Sequence, residues 1–203
     1  HYRAPRWVQF RSLELVDKLA EIEAADFVVQ DSGGVAEPEA LAGQTVTIGA
    51  GIYRLGIGGL HSSETCQAVE ADDEHVLVDR DVASYYPSII LRLGLAPRAM
   101  GPAFLTAYKG IVERRLAAKA AGDKVTADAL KITINGSIGK HGSKCSKHYT
   151  PDLLIQTTVT GQLALLMLIE DLESEGITVV SANTDGIVSK VPIELLRRIA
   201  RQP

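Results

Sequence analysis

Three aspartates stand where carboxylates could do chemistry together. Asp79 and Asp81 close an apolar run in VDRDVASYYPSII, and Asp185 comes much later, inside ANTDGI. If the two segments are neighbouring strands of one sheet, Asp81 and Asp185 converge. Converging carboxylates repel unless a cation lies between them. Mg²⁺ suits such a place, because it takes one or two carboxylates together with water and substrate phosphates. Two such ions roughly 4 Å apart serve in-line phosphoryl transfer. Taken singly, each acid has a plain alternative: turn and strand-end aspartates are commonly just solvated. By strand alternation Asp79 shares a face with Asp81, as a further metal-holding acid or as a solvated one.

A basic segment lies between the acids. Residues 107–148 hold nine Lys/Arg against three Asp/Glu, although the whole chain is at −4. From Glu64 to Asp81 the balance reverses, with seven acids and one Arg. Total charge therefore does not mark a nucleic-acid binder, but its distribution does suggest anion binding. Arg115 and Lys119 are spaced i, i+4 and share a helix face, as do Lys131 and Asn135. If two helices turn back near residue 123, Arg115 lies level with Lys131, and the pair can cradle a polyphosphate. The alternative is a solvated basic face.

These residues need positioning elements. Arg11–Ala25 reads as an amphipathic helix with Leu13, Leu15, Val16, Leu19 and Ile22 on one stripe. DFVVQ reads as a short strand and DSGGVAEPEALAG as a loop. QTVTIGAGIYRLGIGGLHSSE reads as two strands and a glycine-rich turn. HVLVDRDV is a strand that ends before Pro87, and SIILRLGL starts a helix. Two helices follow, with a turn at Gly122 and Asp123 as N-cap of the second. A long apolar helix runs to Gly176. ITVVSANTDGIVSKV is a hairpin whose Asn, Asp and Gly tolerate a tight turn. The fold class is α+β: a small antiparallel sheet with helices on one face and a projecting helix pair.

With 203 residues, 46% of them hydrophobic, the chain can build one large domain or a domain with a subdomain. Cys66 and Cys145 form no CxxC pair, which fits a reducing compartment. His141, Cys145 and His148 lack a fourth zinc ligand. No apolar run is expected to reach the roughly 18 residues of a membrane span, and HYRAPRW lacks signal-peptide features.

The motifs, taken in order, resemble those of the family B DNA polymerases. DVASYYPSII is similar to motif A, Asp-x-x-Ser-Leu-Tyr-Pro-Ser-Ile-Ile. KITINGSIG is similar to motif B, Lys-x-x-x-Asn-Ser-x-Tyr-Gly. ANTDGI is similar to motif C, Tyr-x-Asp-Thr-Asp-Ser. The helix pair falls between A and B, where this family places its fingers. The match covers roughly Tyr53 to Val191 and looks like phage-type or mobile-element members. YRLGIGGLHS stands where protein-primed members carry a template-contacting Tyr-x-Gly-Gly.

The resemblance implies a palm with short fingers. Residues 1–62 would lead into the palm, 63–106 would carry motif A, 107–134 the fingers, and 135–203 motifs B and C. Exonuclease and thumb would lie outside these residues, so the chain is expected to be a piece of a longer protein and inactive alone. Asp81, Asp185 and the Val82 carbonyl would hold two Mg²⁺ ions, or Mn²⁺ in their place. Ser84 and the Tyr85 backbone would meet the triphosphate, with Arg115, Lys119 and Lys131 neutralising it. Tyr86 would lie under the deoxyribose and exclude a 2′-hydroxyl. Asn135 and Gly139 would line the base-pair pocket, and Gly139, Lys140, Tyr53, Gly58 and Gly59 would contact DNA. Implied partners are primer-template DNA, dNTPs and a protein primer or other replication proteins, without a membrane. The implied location is the cytoplasm, of a bacterial host if the protein is phage-encoded. Asn183, Gly136, Ile138 and Gln162 depart from the family pattern. They leave room for a palm that binds primed nucleic acid without catalysis. Another palm-type nucleotidyltransferase is a further alternative, opposed by the bulk of Tyr86.

Overall fold

Thr45–Ile48 (β1) alternates exposed and buried residues, placing Val46 and Ile48 inward. The chain turns at Gly49, where φ is +58°, into Gly51–Arg54 (β2). The structure is a computed structural model describing residues 1–64 and 67–200, the last two by backbone only. Cys66 lies outside the described residues. Among the described residues six strands, β1, β2, His61–Ser62 (β3), His75–Asp81 (β4), Thr178–Asn183 (β5) and Gly186–Pro192 (β6), form one antiparallel sheet in the order β1-β2-β3-β5-β6-β4. His61–Ser62 (β3) joins its halves through a single register pair, His61 with Asn183 of Thr178–Asn183 (β5). Ser62 reinforces that junction: its Oγ accepts from the Ala182 N–H at 2.7 Å and donates to the Ala182 carbonyl at 3.0 Å. Residues 1–62 thus supply three strands of the same sheet. His75–Asp81 (β4) pairs along its whole length with Gly186–Pro192 (β6).

The sheet has two unlike faces. Val179, Ala182 and Ile187 turn inward against Leu163, Leu166 and Ile169 of a long helix, Pro151–Ser174 (α5). Leu15 and Ile22 of Leu13–Ala24 (α1) join the same core. Burying each of these valine, leucine and isoleucine side chains contributes about 1.5–3 kcal/mol, so this face holds the sheet in place. On the opposite face the alternation leaves Asp79, Asp81, Ser181, Asn183 and Val188. By length and composition α5 could cross a membrane, contrary to the expectation of no such run. Of its most apolar stretch, 67% is buried within the fold, so core packing accounts for that composition.

Tyr85–Leu93 (α2) begins before the expected start, with Pro87 inside its first turn. Pro87 fits because the first N–H groups of a helix are unpaired anyway, and the residue four back, Ala83, lies outside the helix. Pro102–Ala120 (α3) and Lys124–Lys140 (α4) form the expected antiparallel pair. Gly122 turns it at φ +74°, and Asp123 caps α4 by accepting from the Thr126 N–H at 3.0 Å. The pair is longer than 107–134. Phe104, Tyr108 and Val112 of α3 meet Ile134 and Ile138 of α4, Ile90 of α2 and Leu153 of α5 in a second core. Ile193–Ala200 (α6) closes the described chain.

Three expectations differ. DFVVQ is not a strand: Val29 makes only an isolated bridge to Val35, and Val28 and Val29 are exposed. The buried stripe of α1 is narrower than expected, because Leu13 is 79% exposed and Val16 is exposed too. Tyr53 is fully buried in the main core, so its ring is not available to a template strand.

Candidate active site

The register of β4 against β6 sets Asp81 opposite Gly186, and Asp185 is in the turn just before Gly186. Gly186 has a steric reason: a Cβ there would collide with Asp81 Oδ1. The Val82 N–H donates to the Asp185 carbonyl at 2.8 Å, fixing the turn against the end of β4. Thr184 takes φ +56°, an uncommon conformation for a β-branched residue. Its N–H donates to the Leu60 carbonyl at 2.8 Å, and its Oγ1 donates to Asn183 Oδ1 at 3.0 Å. An open cavity of about 400 Å³ lies here, lined by Asp79, Asp81, Ser181, Asn183 and Asp185 among others.

Burial raises the Asp185 carboxyl above the ordinary carboxylate range, and the neighbouring Asp81 charge adds to that rise. Lys131 acts in the opposite direction. A carboxyl raised by burial and by a neighbouring carboxylate, as Asp185 is, fits a divalent cation of the Mg²⁺ type, which leaves most of its coordination to water and substrate. Among the described residues no group of three or more His, Cys, Asp or Glu is gathered as a complete protein cage.

A second cavity, of about 310 Å³, adjoins through Thr184 and Asp185. Ser84, Tyr85, Tyr86, Arg115, Lys131 and Asn135 line it. Ser84 is left-handed at φ 53°, ψ 50°, and its Oγ accepts from Arg115 Nη1 at 2.8 Å. Helix α3 is thereby tied to the start of α2. The Tyr85 hydroxyl donates to the Gly161 carbonyl at 2.6 Å, and the Tyr86 hydroxyl donates to the Gly58 carbonyl at 2.9 Å. Burial, then the Asp185 charge, pushes the Tyr86 phenol up to about 12, so it stays a neutral donor.

Of the residues singled out by sequence, the structure gathers Asp81, Asp185, Ser84, Tyr85, Tyr86, Arg115, Lys131 and Asn135 around these adjoining cavities. Val82 is tied to them through its N–H. Gly58 touches Tyr86, and Gly59 packs under Thr184. Lys119, Gly139 and Lys140 do not line either cavity. Lys140 instead borders a larger apolar cavity of about 1050 Å³ beside α3 and α4. His141 is wholly buried with its ring 6.2 Å from that of His148, whereas Cys145 is exposed. The sequence reasoning missed the steric need for Gly186, although its place after Asp185 was a visible signal. It also missed Gly161 and the work of Gln162. The Gln162 side chain pairs with the Gly56 backbone, accepting from its N–H at 2.9 Å and donating to its carbonyl at 2.6 Å.

No protein-family model matches the chain, and no curated protein matches it.

Proposed function

We propose that this chain is the palm and fingers of a family B-like DNA polymerase, acting on primer-template DNA and dNTPs. The supporting observation is the meeting of Asp81 and Asp185 at the β4–β6 edge, beside a cavity bearing Tyr86, Arg115, Lys131 and Asn135. Asp81, Asp185 and the Val82 carbonyl would hold the Mg²⁺ ions. When bound, such ions supply neutralisation of the developing phosphate charge.

The chain's own residues do the rest. Lys131 and Arg115 bring two cations to the triphosphate end of the cavity, where charge-assisted hydrogen bonds are the strong ones. Tyr86 forms the floor below the sugar, and its hydroxyl is held by the Gly58 carbonyl. Asn135 and Ile138 border the place of the new base pair. The primer 3′-hydroxyl attacks the α-phosphate, a phosphodiester bond forms, and the bond to pyrophosphate breaks. Positioning and electrostatics carry most of the rate in such transfers.

The intact protein should extend a primed template with Mg²⁺ and dNTPs, and extension should stop when EDTA removes the metal. A palm that binds without catalysis is the second reading, favoured by Asn183, an amide where the family has an acid. Tight binding of primed DNA with no extension under any metal would select it.

A further inference from the structure

Tyr86 is not positioned by its own helix alone. Its hydroxyl donates to the Gly58 carbonyl, and its ring lies against Gly161 of α5, where a Cβ would stand only 2.8 Å from Tyr86 Cε1. The loop carrying Gly58 is in turn held by Gln162, the next residue of α5. Gln162 is 1% exposed, and its amide satisfies both the N–H and the carbonyl of Gly56. Two residues beyond Gly58, Leu60 accepts from the N–H of Thr184, the neighbour of Asp185. One short loop, Gly56–Leu60, therefore touches the tyrosine floor and the acidic turn, and α5 fixes it from behind.

We infer that Gln162 and Gly161 are positioning residues for sugar selection. Gln162 sets the loop that holds the Tyr86 hydroxyl, and Gly161 sets how deep the ring can sit. This rests on the polymerase function proposed above, since only there does the Tyr86 ring judge a 2′-hydroxyl. The pairing is specific in chemistry. Glutamate at 162 keeps the acceptor for Gly56 N–H but sets a negative oxygen against the Gly56 carbonyl, and methionine keeps the shape but loses both bonds. Neither touches substrate, so the effect must appear in the ratio between sugars rather than in deoxynucleotide turnover alone.

Single-nucleotide incorporation into a primed template by the intact protein, with Mg²⁺ and either dATP or ATP, gives that ratio. Gln162→Met should lower the dATP/ATP ratio of kcat/KM about tenfold, mainly through a lower KM for ATP, with Gln162→Glu between it and wild type. Gly161→Ala should act oppositely: its Cβ drives the ring toward the sugar, the KM for ATP rises more than that for dATP, and the dATP/ATP ratio of kcat/KM increases. An unchanged ratio in Gln162→Met overturns the proposal. A second measurement separates this from the function itself. In protein carrying ¹³C-labelled tyrosine, with the Tyr86 signal assigned by Tyr86→Phe, Gln162→Met should shift Tyr86 and leave Tyr108 in place. A Tyr86 signal that does not move also overturns the proposal, whether or not the protein extends primers. If wild type incorporates neither nucleotide, the polymerase reading fails and the sugar-selection role fails with it, while the spectrum still decides whether Gln162 positions Tyr86.

Discussion

The imidazole of His141 should make the stability of this protein pH-dependent in a defined window. His141 ends α4, is fully buried, and lies edge-on to Phe104 with centroids 6.1 Å apart. Among the described residues neither ring nitrogen has a hydrogen-bond partner. Burial, with His148 adding to it, depresses the ring to about 4. In the unfolded chain it titrates near 6.5. Between those values the unfolded state binds a proton that the folded state refuses, so stability falls as pH drops from 6.5 toward 4 and is flat above 6.5. At pH 5 the two values give a loss of about 2 kcal/mol relative to neutral pH. The perturbation is His141→Leu, which removes the proton site and the unpaired polar atoms, and at pH 7 should be neutral or stabilising. Urea unfolding of both proteins at pH 7 and pH 5 is the assay. Wild type should lose about 2 kcal/mol more than the variant between the two pH values. Equal losses would refute the reasoning, because they would mean that His141 is solvated or paired in the folded state.

Other perturbations test the elements around the site. Asp123→Ala removes the cap of α4 and should cost about 1 kcal/mol, seen as a lowered midpoint in thermal unfolding. Arg115→Ala removes the bond to Ser84 and a cation at the second cavity. Hydrogen bonds to charged groups are worth about 1.5–3 kcal/mol, so the KM for dNTP should rise at least tenfold while the circular dichroism spectrum is kept. Gly186→Ala places a methyl against Asp81 Oδ1. It should cut incorporation about a hundredfold with little change in melting temperature, and a wild-type rate would show that the carboxylate can move aside freely.

Much of the architecture was legible because it follows local rules. The strand carrying Asp81, the Asn-Thr-Asp-Gly hairpin, the helix pair turning at Gly122 and the apolar α5 all announce themselves by period, cap or turn residue. Long-range pairing was less legible. Nothing local says that β3, only two residues long, joins the β1–β2 hairpin to β5, or that Tyr53 is consumed by the core. DFVVQ has strand composition, but its valines meet only Val35 and Ala36 across the loop, in an isolated bridge, and stay exposed. At the site, the convergence of Asp81 and Asp185 was readable from strand ends. The left-handed Ser84, its bond to Arg115 and the grip of Gln162 on Gly56 were not, since each depends on partners brought together only by the fold.

The central claim is that Asp81 and Asp185 hold the metal for nucleotidyl transfer. Single-turnover incorporation of a dNTP by the intact protein on primed DNA, comparing wild type with Asp81→Asn and Asp185→Asn, tests it most directly. Loss of a metal-holding carboxylate removes several kcal/mol of transition-state stabilisation, so each variant should be about a thousandfold slower with DNA binding retained. Incorporation by either variant at the wild-type rate would contradict the assignment.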